Sequence, residues 1–168
     1  MGLFTSEEFN SLEDLFTHEL KDIYDAEIRI TEALPKMAEK AHNPNLKRAF
    51  NNHLQQTEKH VERLKSVFER RGLEPEREKC QAMTGLAKEG DAVISADGDP
   101  DVLDAALIAA AQRVEHYEMA AYGTLRAFAL QLNDEYSAEL LEQTLDEEKQ
   151  TDQKLTEIAV GSVNPAST

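Results

Sequence analysis

Glycine and proline are scarce in this sequence, at seven and five of 168 residues, and tryptophan is absent. With Ala, Leu, Glu, Lys and Gln abundant, that composition argues against a sheet and for long helices. A single cysteine, Cys80, rules out an internal disulfide. The N-terminal stretch has charges every few positions and neither an apolar leader nor a spanning run, so a cytoplasmic protein is expected. Cations are few as well: eighteen Lys and Arg face thirty-three Asp and Glu, a net charge of -15. That balance disfavours a grip on phosphate backbones or anionic lipid, so neither nucleic acid nor membrane is an expected partner. It also fits a simple adaptation for salt or solubility. The chain has the length of one ordinary domain, and 40% hydrophobic residues suffice for one core.

What is present is helical periodicity broken at few places. Ser11-Leu-Glu-Asp has capping-box spacing and opens a helix to about Ala41, with Phe16, Leu20, Ile23, Ile30, Leu34 and Met37 on one side. Pro35 predicts a kink or an early end there. Asn43-Pro44 reads as N-cap and first helical residue of a second helix that stops at Gly72. A shorter helix is predicted near 76–95, then a third long helix over 101–132 and a fourth over 135–160, with 161–168 expected to fray. Two short connections force antiparallel pairs. The predicted fold is therefore all-α: a ferritin-like four-helix bundle of two antiparallel helical hairpins, joined by a crossover containing a short extra helix. It forms a single domain with its core at about 11–160. An up-and-down bundle with an added helix is the alternative.

Several polar residues fall on the apolar stripes. At about 100° per residue Glu27 sits in the middle of the first helix's stripe, while Glu115 and Glu118 share the arc of Ile108, Ala111, Tyr122 and Leu125. Glu148 lies among Leu141, Leu145 and Leu155, with Asp152 one turn on. The second helix places His53, Gln56, Thr57 and His60 beside Leu46, Leu64 and Val67. Distances from the turns agree: Glu27 and Thr57 are each fifteen residues from His42, flanked by Gln56 and His60, and Glu118 and Glu148 are each fifteen from Asn133. Burying several carboxylates at one level requires a cation. The candidate metal ligands are Glu27, His53, Gln56, His60, Glu115, Glu118, Glu148 and Asp152. Taken singly, an inward Glu is more often a boundary residue snorkelling outward, and His53 or His60 more often a core histidine. Coincidence of level is what argues for metal. Asp22 and Glu19 read as solvated or interface residues, Tyr24, Tyr117 and Tyr122 as core or boundary aromatics, and Cys80 as a packing residue. A tyrosine one turn from a metal would serve as a supporting donor.

The segments Asp22-Ile-Tyr-Asp-Ala-Glu27, His53-Leu-Gln-Gln56-Thr, Glu115-His-Tyr-Glu118, Ala121-Tyr-Gly-Thr-Leu and Thr144-Leu-Asp-Glu-Glu148-Lys together resemble the bacterial stress-associated YciF/YciE family. Glu115-x-x-Glu118 is also similar to the pair on the third helix of rubrerythrin-like proteins. The resemblance implies a ferritin-like homodimer of undefined activity with metal held at Glu27, Glu115, Glu118 and Glu148. Gln56 departs from a Glu usual in the family, and Asp152 from a His usual in rubrerythrin-like sites. These departures leave a mononuclear, weakly filled or altered-metal site as alternatives to a full di-iron centre. The expected function is a di-iron or di-manganese protein acting on peroxide, oxygen or ferrous iron under stress. With no Cys-x-x-Cys, any reductant must be external. The alternative is a metal-free or structurally metallated helical dimer with an interaction or protective role. Cage-type iron storage is weaker, because no assembly surface is recognisable.

Overall fold

The computed structural model describes residues 8–168, and every long helix in it opens on a side-chain cap. Ser11 accepts from the Asp14 N–H at the start of α1 (Leu12–Lys40), and Asn43 from the Asn45 and Leu46 N–H groups at the start of α2 (Pro44–Arg70). A shorter helix, α3 (Gln81–Ile94), follows. Asp99 caps α4 (Pro100–Gln131) and Asp134 caps α5 (Glu135–Ile158). Each cap satisfies backbone donors that the first turn leaves open. Two helix ends need left-handed backbone, and they use Gly72 (φ 68°) and Asn133 (φ 59°), residue types that tolerate it.

α1 packs on α2 and α4 on α5, while α2–α5 and α1–α4 contacts close the four-helix ring. Buried Asp104 near the start of α4 accepts the N–H groups of His42 (2.8 Å) and Asn43 (2.6 Å), fixing the α1–α2 turn at that end. Arg71, after α2, pairs with Asp134 at 3.0 Å, so the α4–α5 turn lies at the other end. The segment from α2 to α4 must cross the length of the bundle, as a ferritin-like crossover does. It carries α3, which packs on α1 and α4. The core between the layers is built from Phe16, Leu20, Ile23, Phe50, Leu64, Phe68, Leu125 and Leu141. No helix among the described residues is long and apolar enough to cross a membrane.

Three boundaries differ from expectation. α1 does not end at Pro35, because Leu34, Met37 and Ala38 on either side are buried and outweigh the missing N–H. α3 begins at Gln81 rather than near Glu76, because tertiary contacts hold the preceding chain extended. Asp25 of α1 accepts from Arg77 Nε (2.8 Å) and the Cys80 N–H (3.0 Å), and Lys21 O accepts the Glu78 N–H at 3.2 Å. Cys80 packs in the core and its Sγ also caps α3, accepting from the Met83 N–H. The final segment is not frayed. A π-type turn over Ala159–Val163 leads to a last helical turn, Asn164–Ala166, with Val163 buried and Ser167 Oγ donating to Asp101 O at 2.9 Å.

Candidate metal centre

Six side chains from all four long helices meet in the middle of the bundle. Glu27 (α1), His53 and His60 (α2), Glu115 and Glu118 (α4) and Glu148 (α5) are each 2% exposed or less. Their helical spacings are what aim them together: seven residues separate the histidines and three the α4 pair, so each pair shares one face. His53 Nε2 lies 3.3 Å from Glu115 Oε1 and 3.8 Å from Glu148 Oε2. His60 Nδ1 lies 2.9 Å from Glu148 Oε1 and 3.4 Å from Glu27 Oε1, close but not aligned as hydrogen bonds. Two ligand-like groups result, His53–Glu115–Glu118–Glu148 and Glu27–His60–Glu148, each with its donor atoms within 4.8 Å of one another. Glu148 belongs to both.

The cluster is left unsatisfied by protein partners. Glu27 Oε2, His53 Nε2, His60 Nδ1, Glu115 Oε2 and both oxygens of Glu118 and Glu148 are buried without a hydrogen bond, eight of the nine such side-chain atoms among the described residues. Native cores leave few such atoms unpaired, and a cluster of them calls for a ligand that would satisfy it. Oxygen-rich donors with two imidazoles and converging, unshared lone pairs fit a divalent metal ion.

Without a cation the charge must be managed by protons. Burial pushes Glu115 up to about 8, with the Glu27 and Asp152 charges adding to it. Burial likewise raises Glu118 well above the usual carboxylate range, reinforced by Glu148, Glu27 and Glu115, and it raises Glu27 and Glu148 as well. For His60 burial acts against the charged ring, but Glu148 and Glu27 outweigh it and push the imidazole up to about 10.

Outside this cluster, supporting groups orient it. Tyr122, fully buried, donates its hydroxyl to Glu27 Oε1. Glu147 accepts from His60 Nε2 at 2.7 Å and is clamped by both Arg63 nitrogens, at 2.7 and 2.9 Å. Arg63 holds the Glu147 carboxyl down at about 2. A permanently ionised acceptor on Nε2 holds a proton there, so when the ring gives up its other proton it is the Nδ1 lone pair that faces Glu27 and Glu148. Thr151 Oγ1 sits 3.3 Å from His53 Nδ1 and performs a similar role.

Two expected ligands lie elsewhere. Gln56 is only half-buried, and its neighbour Thr57 is the inward residue, its hydroxyl donating to His53 O at 3.0 Å. Asp152 points to the α4 flank, where Gln112 Nε2 (3.0 Å) and His116 Nε2 (3.3 Å) approach it.

Residues 11–168 match the family described as a domain of unknown function, DUF892. The chain belongs to this family. Protein YciF of Escherichia coli K12 is 48% identical over 155 residues, 92% of this chain and 93% of its own length. The crystal structure of that protein, described as a stress protein, matches with a TM-score of 0.89 over 93% of this chain and 99% of that one. YcfI of Rhodopseudomonas palustris is 46% identical, with a TM-score of 0.87 over 91% and 98% of the two chains. A Xanthomonas campestris protein, 20% identical with a TM-score of 0.69 over 90% and 92%, shares the fold. In this DUF892 chain sequence reasoning missed Glu147 and Arg63. The available signal was a second acid beside Glu148, one residue round α5 and therefore facing α2.

Proposed function

We propose that this chain is a ferritin-like, stress-associated protein that holds iron or manganese in its bundle core and acts on peroxide, oxygen or ferrous iron. The observation that carries the proposal is the convergence of eight unpartnered buried donor atoms from four helices. Glu148, common to both groups, would hold metal together with His53, Glu115 and Glu118 and with Glu27 and His60. Bound iron or manganese would supply a redox-active ion able to bind and polarise an O–O bond. The protein's own contribution is to present buried carboxylates from three helices, hold His60 in one tautomer through Glu147, and steady Glu27 through Tyr122. In place of a carboxylate at position 56 or 57, α2 offers two imidazoles, a ligand set with less negative charge. The proposal includes a homodimer and an external reductant. Elemental analysis of protein purified without added metal tests it, followed by an iron-dependent peroxidase assay in which Glu118→Ala should abolish turnover. Absence of bound iron and manganese after reconstitution refutes it.

One observation favours the second possibility, a metal-free interaction or protective dimer. His60 lies between Glu27 and Glu148, so a protonated ring offsets part of the buried charge without an ion. That protein would be indifferent to chelators.

A further inference from the structure

Two openings reach the metal centre, and they share only His53 and Glu115. One is a small, largely apolar pocket beneath α3, walled by residues such as Leu34, Met37, Leu86 and Ile94. The other is an open groove between α2 and α5, about 920 Å³, whose floor is formed by His53, Glu115 and Thr151. The groove has far more room than a diatomic or a bare ion needs and falls in the range of small-molecule sites. Its charge runs against the rest of the molecule. In a chain with thirty-three acids and eighteen strong bases, the rim carries Arg48, Lys59 and Lys154 against the single acid Glu157, which Lys154 pairs at 3.1 Å. Arg48 and Lys59 lie on either side of His53 along α2, roughly 7 and 9 Å away at 1.5 Å per residue. Uncharged amides, among them Asn52, Gln56 and Gln150, complete the lining. His53 Nε2, 2% exposed and without a hydrogen-bond partner, marks the point where the groove meets the centre.

We infer that the α2–α5 groove is the cleft of this centre for a second substrate beside the oxidant proposed above, a small anionic molecule that reaches the metal at His53 and Glu115. The inference rests on the metal centre proposed above. It places Gln56 in the cleft wall rather than among the ligands, and it makes a free divalent cation a poor traveller by this route. Cations on the rim favour an anion at equilibrium, and the preference weakens with salt.

The test is azide titration of iron-loaded protein, followed by its charge-transfer absorption, in the wild type and in the double variant Arg48→Glu, Lys59→Glu. Both replaced residues are exposed and neither is a ligand, so iron content should be equal in the two proteins. Reversing two charges about 10 Å from the centre should weaken azide roughly fivefold at low ionic strength, with the difference collapsing in high salt. Nitric oxide, a neutral ligand, should bind both proteins alike, and benzoate, too large for the apolar cavity, should displace azide from the wild type. Equal azide affinities at low salt, with iron bound in both proteins, would overturn the anion cleft and leave the metal centre standing. Failure to bind iron would remove the centre itself, and the cleft with it.

Discussion

Stripping metal from this protein should reverse the way its stability responds to pH. In the metal-free chain Glu115 keeps its proton up to about pH 8 when folded, whereas unfolded it titrates near 4.5. Between those values the native state holds the extra proton. The stabilisation is therefore complete below about 4.5 and is lost as pH rises through 8, at about 1.4 kcal/mol per pH unit for one proton. Over that window the coupled acids around Glu115 account for on the order of 5 kcal/mol, a large share of an ordinary domain's stability. Glu118, Glu27 and Glu148 act in the same direction, and His60, raised from 6.5 to about 10, extends the decline above neutrality. Asp25, Asp134 and Glu147 are lowered instead, so their effects fall below the window. Urea denaturation of chelator-treated protein at pH 5, 6, 7 and 8 should show a steady fall. Manganese or ferrous iron should flatten or invert it, because ligands that have lost their protons bind metal more tightly as pH rises. Glu115→Gln should match the wild type at pH 5 and exceed it at pH 8 when metal-free. Metal-free stability that is constant or rises from pH 5 to 8 would refute this account of the buried acids.

Glu147→Ala removes the acceptor that fixes His60, and chelator competition should show metal affinity reduced by about 10- to 100-fold. Tyr122→Phe deprives Glu27 of its hydroxyl donor, and the metal-free protein should lose about 1–3 kcal/mol in urea denaturation. Asp25→Asn weakens the tie between α1 and the crossover, where Arg29, the Cys80 N–H and Arg77 more than offset burial and hold the carboxyl below 3.8. It should cost about 2 kcal/mol at pH 7, and the cost should shrink as pH falls through that depressed value, measured as urea midpoints from pH 7 to 3.

The architecture was legible because its signals are local. Ser11, Asn43, Asp99 and Asp134 are caps written at helix starts, and the apolar stripe around Glu27 follows from 3.6-residue periodicity. Distance from the turns also gave the height of Glu118 and Glu148 correctly. It did not fix rotation about the axis, and one residue is about 100°. That is why Gln56, one residue from the level of Glu27 and a candidate ligand, stays half-buried while Thr57 beside it turns inward. Asp152, four residues beyond Glu148, turns by a further 40° or so, enough to reach Gln112 and His116 instead of the core. The extended run before α3 was invisible for another reason. It is held by Asp25, a residue fifty-five positions from Cys80, and no local pattern reports such a tie.

Sharing of Glu148 between the two donor groups has a corollary. One carboxylate cannot adopt separate rotamers for separate neighbours, so the arrangement Glu148 takes for one group is the one the other inherits. On the proposed metal reading, occupation of one group would therefore be felt at the other, and the two would not load as independent sites.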